Sequence, residues 1–185
     1  MSTATLLEIV IPVVVVVALI AVAATALARR RRLRSRFGPE YDRTVEQADS
    51  RRAGERELRA REKRHDELDI KPLSDTSRER YARQWNGVQE EFVDRPQAAV
   101  HDADQLVSSL MRERGYPTEG YEQQLADLSV EHGRTLEHYR AAHEVEALST
   151  HSKVTTEQLR GAMVHYRALF EELLSDGGRT HRAHA

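Results

Sequence analysis

The sequence predicts an all-α protein: an N-terminal transmembrane helix, a long charged helix, then a small four- to five-helix bundle. Three observations carry this. One long apolar run is followed at once by clustered arginines, the residues after it are densely charged, and the remainder repeats apolar residues at helical spacing with no useful period-two alternation.

Residues 1–8 form a short N-terminal tail whose single charge is Glu8. Residues 9–28, Ile9 to Ala28, hold no charge and one hydroxyl, Thr25. At about 1.5 Å per residue a helix of that length spans roughly 30 Å, the thickness of a bilayer's hydrocarbon core. The Val13–Val17 run is a mediocre helix former in water, but in lipid the backbone must bond internally. Pro12 is expected in the first turn, where its missing N–H costs little. Ala26-Leu27-Ala28 has the form of a signal-peptidase site. A basic leader region is absent, however, the apolar run is too long, and arginines follow immediately, so an uncleaved anchor is the better reading.

Residues 29–36 form the collar: Arg29, Arg30, Arg31, Arg32, Arg34 and Arg36, with no acid among them. The positive-inside rule then places the N-terminus outside and the C-terminal domain in the cytoplasm. These six side chains are the expected contacts to anionic lipid headgroups, each worth about 1 kcal/mol near such a surface.

Six of the 28 basic residues lie in the collar, so 22 remain from Phe37 onward against 29 acidic ones, a balance of −7. A domain with that balance is a poor general nucleic-acid binder, which must neutralise phosphates. Residues 37–70 read as one charged spacer helix. Its apolar positions Tyr41, Val45, Ala48, Leu58 and Leu68 do not sustain the heptads of a coiled coil. Glu55 with Arg59 and Glu57 with Arg61 are i,i+4 pairs in the favourable order, and Gly54 is a weak point costing about 1 kcal/mol relative to alanine. Such a helix either holds the domain off the bilayer or packs against it.

Residues 71–175 form the bundle. Lys71-Pro72 breaks the preceding helix. Tyr81, Trp85, Val88 and Phe92 line one helix face beginning near Ser74 or Ser77. Pro96 opens the next helix, marked by Val100, Ala103, Val107 and Leu110, and Gly115 with Pro117 ends it. Tyr121, Leu125 and Leu128 mark a third, which Gly133 interrupts. Leu136, Tyr139 and His143 mark a fourth. Thr155 and Gln158 form a capping box for the last, which presents Leu159, Met163, Tyr166, Phe170 and Leu173. Residues 176–185, rich in Gly, His and Arg, are expected to be a disordered tail.

There is no cysteine, which removes thiolate chemistry and cysteine–zinc sites. Nine histidines invite a metal reading, but no His-Glu-x-x-His occurs. His101 and Asp104 share a helix face, and His132 sits at a break where it is expected to bond free backbone groups. His143 and His165 are expected at helix interfaces. The peptide His-Tyr-Arg-Ala occurs at 138–141 and 165–168 without matching flanks, too little to define a repeat. No nucleophile elbow, P-loop or dinucleotide turn is present, and neither a catalytic set, a metal site nor a cofactor is assigned.

Several segments carry a resemblance: Phe37-Gly-Pro-Glu-Tyr-Asp-Arg-Thr-Val-Glu, Leu68-Asp-Ile-Lys-Pro-Leu, Arg112-Glu-Arg-Gly-Tyr-Pro, Leu128-Ser-Val-Glu-His-Gly and Met163-Val-His-Tyr-Arg-Ala-Leu-Phe. Together they resemble a family of uncharacterised bacterial single-pass membrane proteins, frequent in actinobacteria, over Phe37 to Leu174. The resemblance implies an inner-membrane setting and carries no activity, cofactor or catalytic residue. The expected function is a membrane-tethered interaction or scaffold module on the cytoplasmic face, not an enzyme, acting through a protein partner or self-association of the bundle. The alternatives are a small metal-assisted bundle enzyme using His101, Asp104, His132 or His143, and an exported helical domain.

Overall fold

A computed structural model describes residues 3–151 and 154–175. Among them the secondary structure is helical throughout: α1 (Thr3–Phe37), α2 (Pro39–Gln47), α3 (Arg51–Asp66), α4 (Asp75–Asp94), α5 (Pro96–Arg114), α6 (Tyr121–His132), α7 (Leu136–His151) and α8 (Thr156–Ser175). The expected tail at 176–185 lies outside the described residues.

α1 is one unbroken helix through both the apolar run and the collar. It starts at Thr3, ahead of the apolar run, because Ala4, Leu6, Leu7 and Glu8 are good helix formers. Pro12 therefore lies within the helix and not in its first turn. From Val13 onward α1 is long and apolar enough to cross a membrane. Val13–Val17, Leu19, Ile20, Val22 and Leu27 are all exposed, so the apolar surface runs around the helix and faces no protein.

The charged stretch 37–70 is two helices, not one. The chain reverses at Gly38, α2 returns alongside α1, and a second reversal at 48–50 starts α3. Ser50 sets that start: its side chain accepts a hydrogen bond from the Ala53 amide at 3.2 Å. Four apolar side chains from these helices, Leu33 and Phe37 of α1, Tyr41 of α2 and Leu58 of α3, bury themselves with Val130 of α6 as a small second core. The stretch thus packs on the domain. Gly54 is where α2 and α3 touch, and a Cβ there would lie 2.9 Å from the Val45 Cα. Gly54→Ala should lower the melting temperature although alanine is the better helix former, because the close neighbour is backbone. An unchanged or raised melting temperature would show that the pair can separate at no cost.

Helices α4–α8 enclose the main core. α4 pairs with α5 and α7 with α8, and α8 packs across α5. The expected starts are found: Ser74 caps α4, Pro96 opens α5, and Thr155 and Gln158 bond each other's backbone amides at the head of α8. Gly115, at φ 96°, closes α5. Tyr81, Trp85, Val100, Val107, Leu110, Leu128, Leu136, Leu159, Tyr166, Phe170 and Leu173 are buried together, with Trp85 stacked on Phe170 at 4.7 Å between ring centroids.

Candidate functional site

The collar arginines divide by helix face. Leu33 and Phe37, four apart, point into the small core, and this fixes the rotation of α1. Arg32 and Arg36 then face α3, where both reach Glu62, at 3.1 and 2.7 Å, and Arg36 also reaches Asp66 at 3.4 Å. Arg34 meets Asp42 of α2 at 2.9 Å. Arg29 and Arg31 are exposed and make no ion pair among the described residues. Three of the six expected headgroup contacts therefore already hold protein carboxylates. Exposed pairs are worth roughly 0–1 kcal/mol, and the Arg32 side chain is 74% exposed in its pair.

The steps Arg32–Glu62 and Arg36–Asp66 advance together, so α3 runs parallel to α1 with its N-terminal end toward the apolar run. A cleft of about 300 Å³ opens between them, lined by Arg29, Arg32, Leu33, Arg59 and Glu62. The expected Glu55–Arg59 pair does not form. Glu55 instead accepts a 2.8 Å hydrogen bond from the Tyr41 hydroxyl, leaving Arg59 exposed and without an ion pair among the described residues. Burial, then Glu55, holds the Tyr41 hydroxyl above its ordinary pKa. Glu57 and Arg61 do pair.

Ionic links join helices α2 and α3 to the bundle. Glu40 of α2, 4% exposed, receives both terminal nitrogens of Arg140 of α7 at 2.7 and 2.9 Å, and Arg61 at 3.4 Å. Arg64 of α3 donates to the buried Asp127 of α6 at 3.1 Å. One hundred residues separate Glu40 from Arg140, and no local pattern signals the pair.

The four histidine-site candidates do not gather in one cleft. His143 approaches Asp104 at 3.4 Å, while Asp104 also accepts from the Tyr166 hydroxyl at 2.8 Å. His101 turns to Glu146 at 3.0 Å. His132 is elsewhere and fully buried, bonding Glu172 at 3.0 Å and the Tyr116 hydroxyl at 3.2 Å. Both of these partners are side chains. Among the described residues no three His, Asp or Glu stand close enough to share a metal ion.

His143 and His165 do sit at interfaces. His143 stacks on Tyr121 at 4.0 Å, and His165 meets His138 with 2.9 Å between their Nδ1 atoms. The two His-Tyr-Arg-Ala peptides face each other across the α7–α8 hairpin, since Tyr139 also meets Tyr166 edge-on at 6.2 Å. The short match therefore marks one register, with Ala142 and Ala162 buried just beyond it.

Hydrogen bonds to Asp104 and Glu146 raise the pKa of His143 and His101 above the usual value, against opposing burial. An unfolded imidazole titrates near pH 6.5, so the stabilisation these pairs give is complete below that pH. It is lost as pH rises through the higher folded values. Burial acts oppositely on His65, lowering its pKa, so that contribution is lost as pH falls below 6.5. Melting curves of the wild type and His143→Gln should therefore converge between pH 5.5 and 8; a constant gap would rule out the His143 charge as the cause.

On the far side of the bundle an apolar groove of about 200 Å³ runs between α4 and α8, lined by Trp85, Phe92, Met163 and Val164 with Gln89, Arg160 and Arg167 at its edges. Val164 is 62% exposed and nearby Val93 82%. Its arginines are paired within α8, Arg160 with Glu157 and Arg167 with Glu171. Compared with family models, curated proteins and solved structures, the chain matches none.

Proposed function

We propose that the protein is a membrane-tethered helical interaction module. α1 crosses a bacterial inner membrane once, with the N-terminus outside, and the domain stands on the cytoplasmic face. There the collar meets anionic headgroups and the bundle engages a protein partner or a second copy. The single observation that supports this most is that the anchor and the domain share a core: the helix whose apolar surface faces no protein ends with Leu33 and Phe37 buried among Tyr41, Leu58 and Val130. A tether that only located the domain could be joined by a loose linker. This one is part of the fold, which suits a module whose docking face must be held in one orientation. The α4–α8 groove is the surface best suited to docking, because apolar residues there stay exposed on an otherwise charged domain.

C-terminal fusions to one reporter active only in the cytoplasm and another active only outside test the orientation. Activity of the first alone is expected; activity of the second alone overturns it. A photo-crosslinker at Val164, in cells, should give a discrete adduct that one at exposed Arg83 of α4 does not. Identical behaviour at both positions would remove the groove as the docking face.

A further inference from the structure

The geometry points to a headgroup site that the collar does not make alone: the cleft between α1 and α3 binds the phosphate of one anionic phospholipid between Arg29 and Arg32 of the anchor helix and Arg59 of the folded domain. This rests on the tethered reading above and assigns its ligand. Three guanidinium groups and one carboxylate line the cleft, and that carboxylate, Glu62, is already held by Arg32 and Arg36. The local excess of positive charge is therefore carried by Arg29 and Arg59, which have no ion pair among the described residues.

Position selects a lipid as the source of the phosphate. Arg29 is the first residue after the apolar run, and Arg32 is less than one helical turn further on, so both stand at headgroup depth when α1 spans a bilayer. The cleft brings Arg59 beside them from a helix that is otherwise part of the domain. Guanidinium forks pair with phosphate oxygens through two parallel bonds each, which an isolated ammonium cannot do. Exposed Arg32–Glu62 can yield to such a ligand at little cost. The Tyr41–Glu55 bond has a role here as well, since it keeps the Glu55 carboxylate from neutralising Arg59.

The full-length chain, reconstituted in nanodiscs of phosphatidylcholine with or without phosphatidylglycerol and then released for native mass spectrometry, tests this. The wild type should retain one phosphatidylglycerol in preference to phosphatidylcholine. Arg59→Gln should weaken that retention about tenfold or more, the effect of losing a charge-assisted contact. Arg59→Lys should restore part of it, and Arg83→Gln, on α4 and outside both the collar and the cleft, should leave it near the wild-type level. Circular dichroism of each variant checks that the helices persist.

Equal retention by Arg59→Gln and wild type, with loss only when Arg31 or the other collar positions change, overturns the cleft and leaves the tether standing. Failure of the wild type to enter either bilayer overturns both. Displacement of the bound lipid by millimolar inorganic phosphate would mark a free-phosphate site and overturn the lipid assignment.

Discussion

Replacing Glu40 with alanine should cost about 3–5 kcal/mol of stability, the usual penalty for removing one partner of a buried ion pair. Glu40 is 4% exposed and holds Arg140 through two short bonds and Arg61 through a third, longer one. Without it two guanidinium groups remain largely shielded from water, and no nearby carboxylate can replace it for both. Glu137 already serves Arg140 and Arg43, and Glu57 serves Arg61. Because Glu40 lies on α2 and Arg140 on α7, the loss should fall on the connection between α1–α3 and the bundle. Thermal unfolding of the full-length chain in detergent, for Glu40→Ala, Arg140→Ala and the double variant, measures the coupling. Single variants within about 0.5 kcal/mol of wild type would show that the pair contributes nothing beyond an exposed contact.

The second large effect is expected at Gly133. Its backbone is helical, at φ −55° and ψ −23°, so alanine would ordinarily be accepted there. A Cβ would nonetheless stand 2.3 Å from the Phe37 carbonyl oxygen and 3.1 Å from its carbon. Both are backbone atoms at the end of α1 and cannot swing aside as a flexible side chain does. Overpacking typically costs about 1–3 kcal/mol, and a clash with backbone belongs at the upper end. The damage should be local. In hydrogen exchange, Gly133→Ala should lose protection around residues 33–45 and in α3, while α4, α5 and α8 keep theirs. Uniform loss across the bundle, or none, would contradict the proposed seat of α1 on α6.

The sequence revealed what its own neighbourhood determines. α4, α5 and α8 carry apolar residues at helical spacing for several turns and have recognisable starts at Ser74, Pro96 and Thr155, so local chemistry and final packing agree. The 37–70 stretch failed for the opposite reason. Tyr41 and Leu58 look isolated among charges, and they become a core only when Leu33, Phe37 and Val130 arrive from elsewhere. Gly54 looked like a defect because its value is the approach of another helix. In the candidate site, Arg29 and Arg32 were legible from their place after the apolar run. Linear order pairs Arg59 with Glu55, four residues back, because nothing in it shows that Tyr41 takes that carboxylate. His132 and Glu172 are forty residues apart and meet only when α6 and α8 pack.

Residues far apart in the sequence converge at one place. Phe37 and Gly133 touch, Gly115 lies against Asp69, and Tyr116 bonds His132. They surround the place where α1–α3 join the bundle.

A stem without a hinge has a mechanical consequence. No break lies between Val13 and Phe37, and the last turn is clamped at Leu33 and Phe37, so the domain cannot swivel independently of the rod that carries it. If lipid thickness or a neighbouring span tilts or turns that rod, the α4–α8 face is swept to a new bearing by the same rotation, and with leverage that grows with distance from the bilayer. Inserting three alanines before Arg29 would rotate the load by most of a turn and should redirect whatever that face touches.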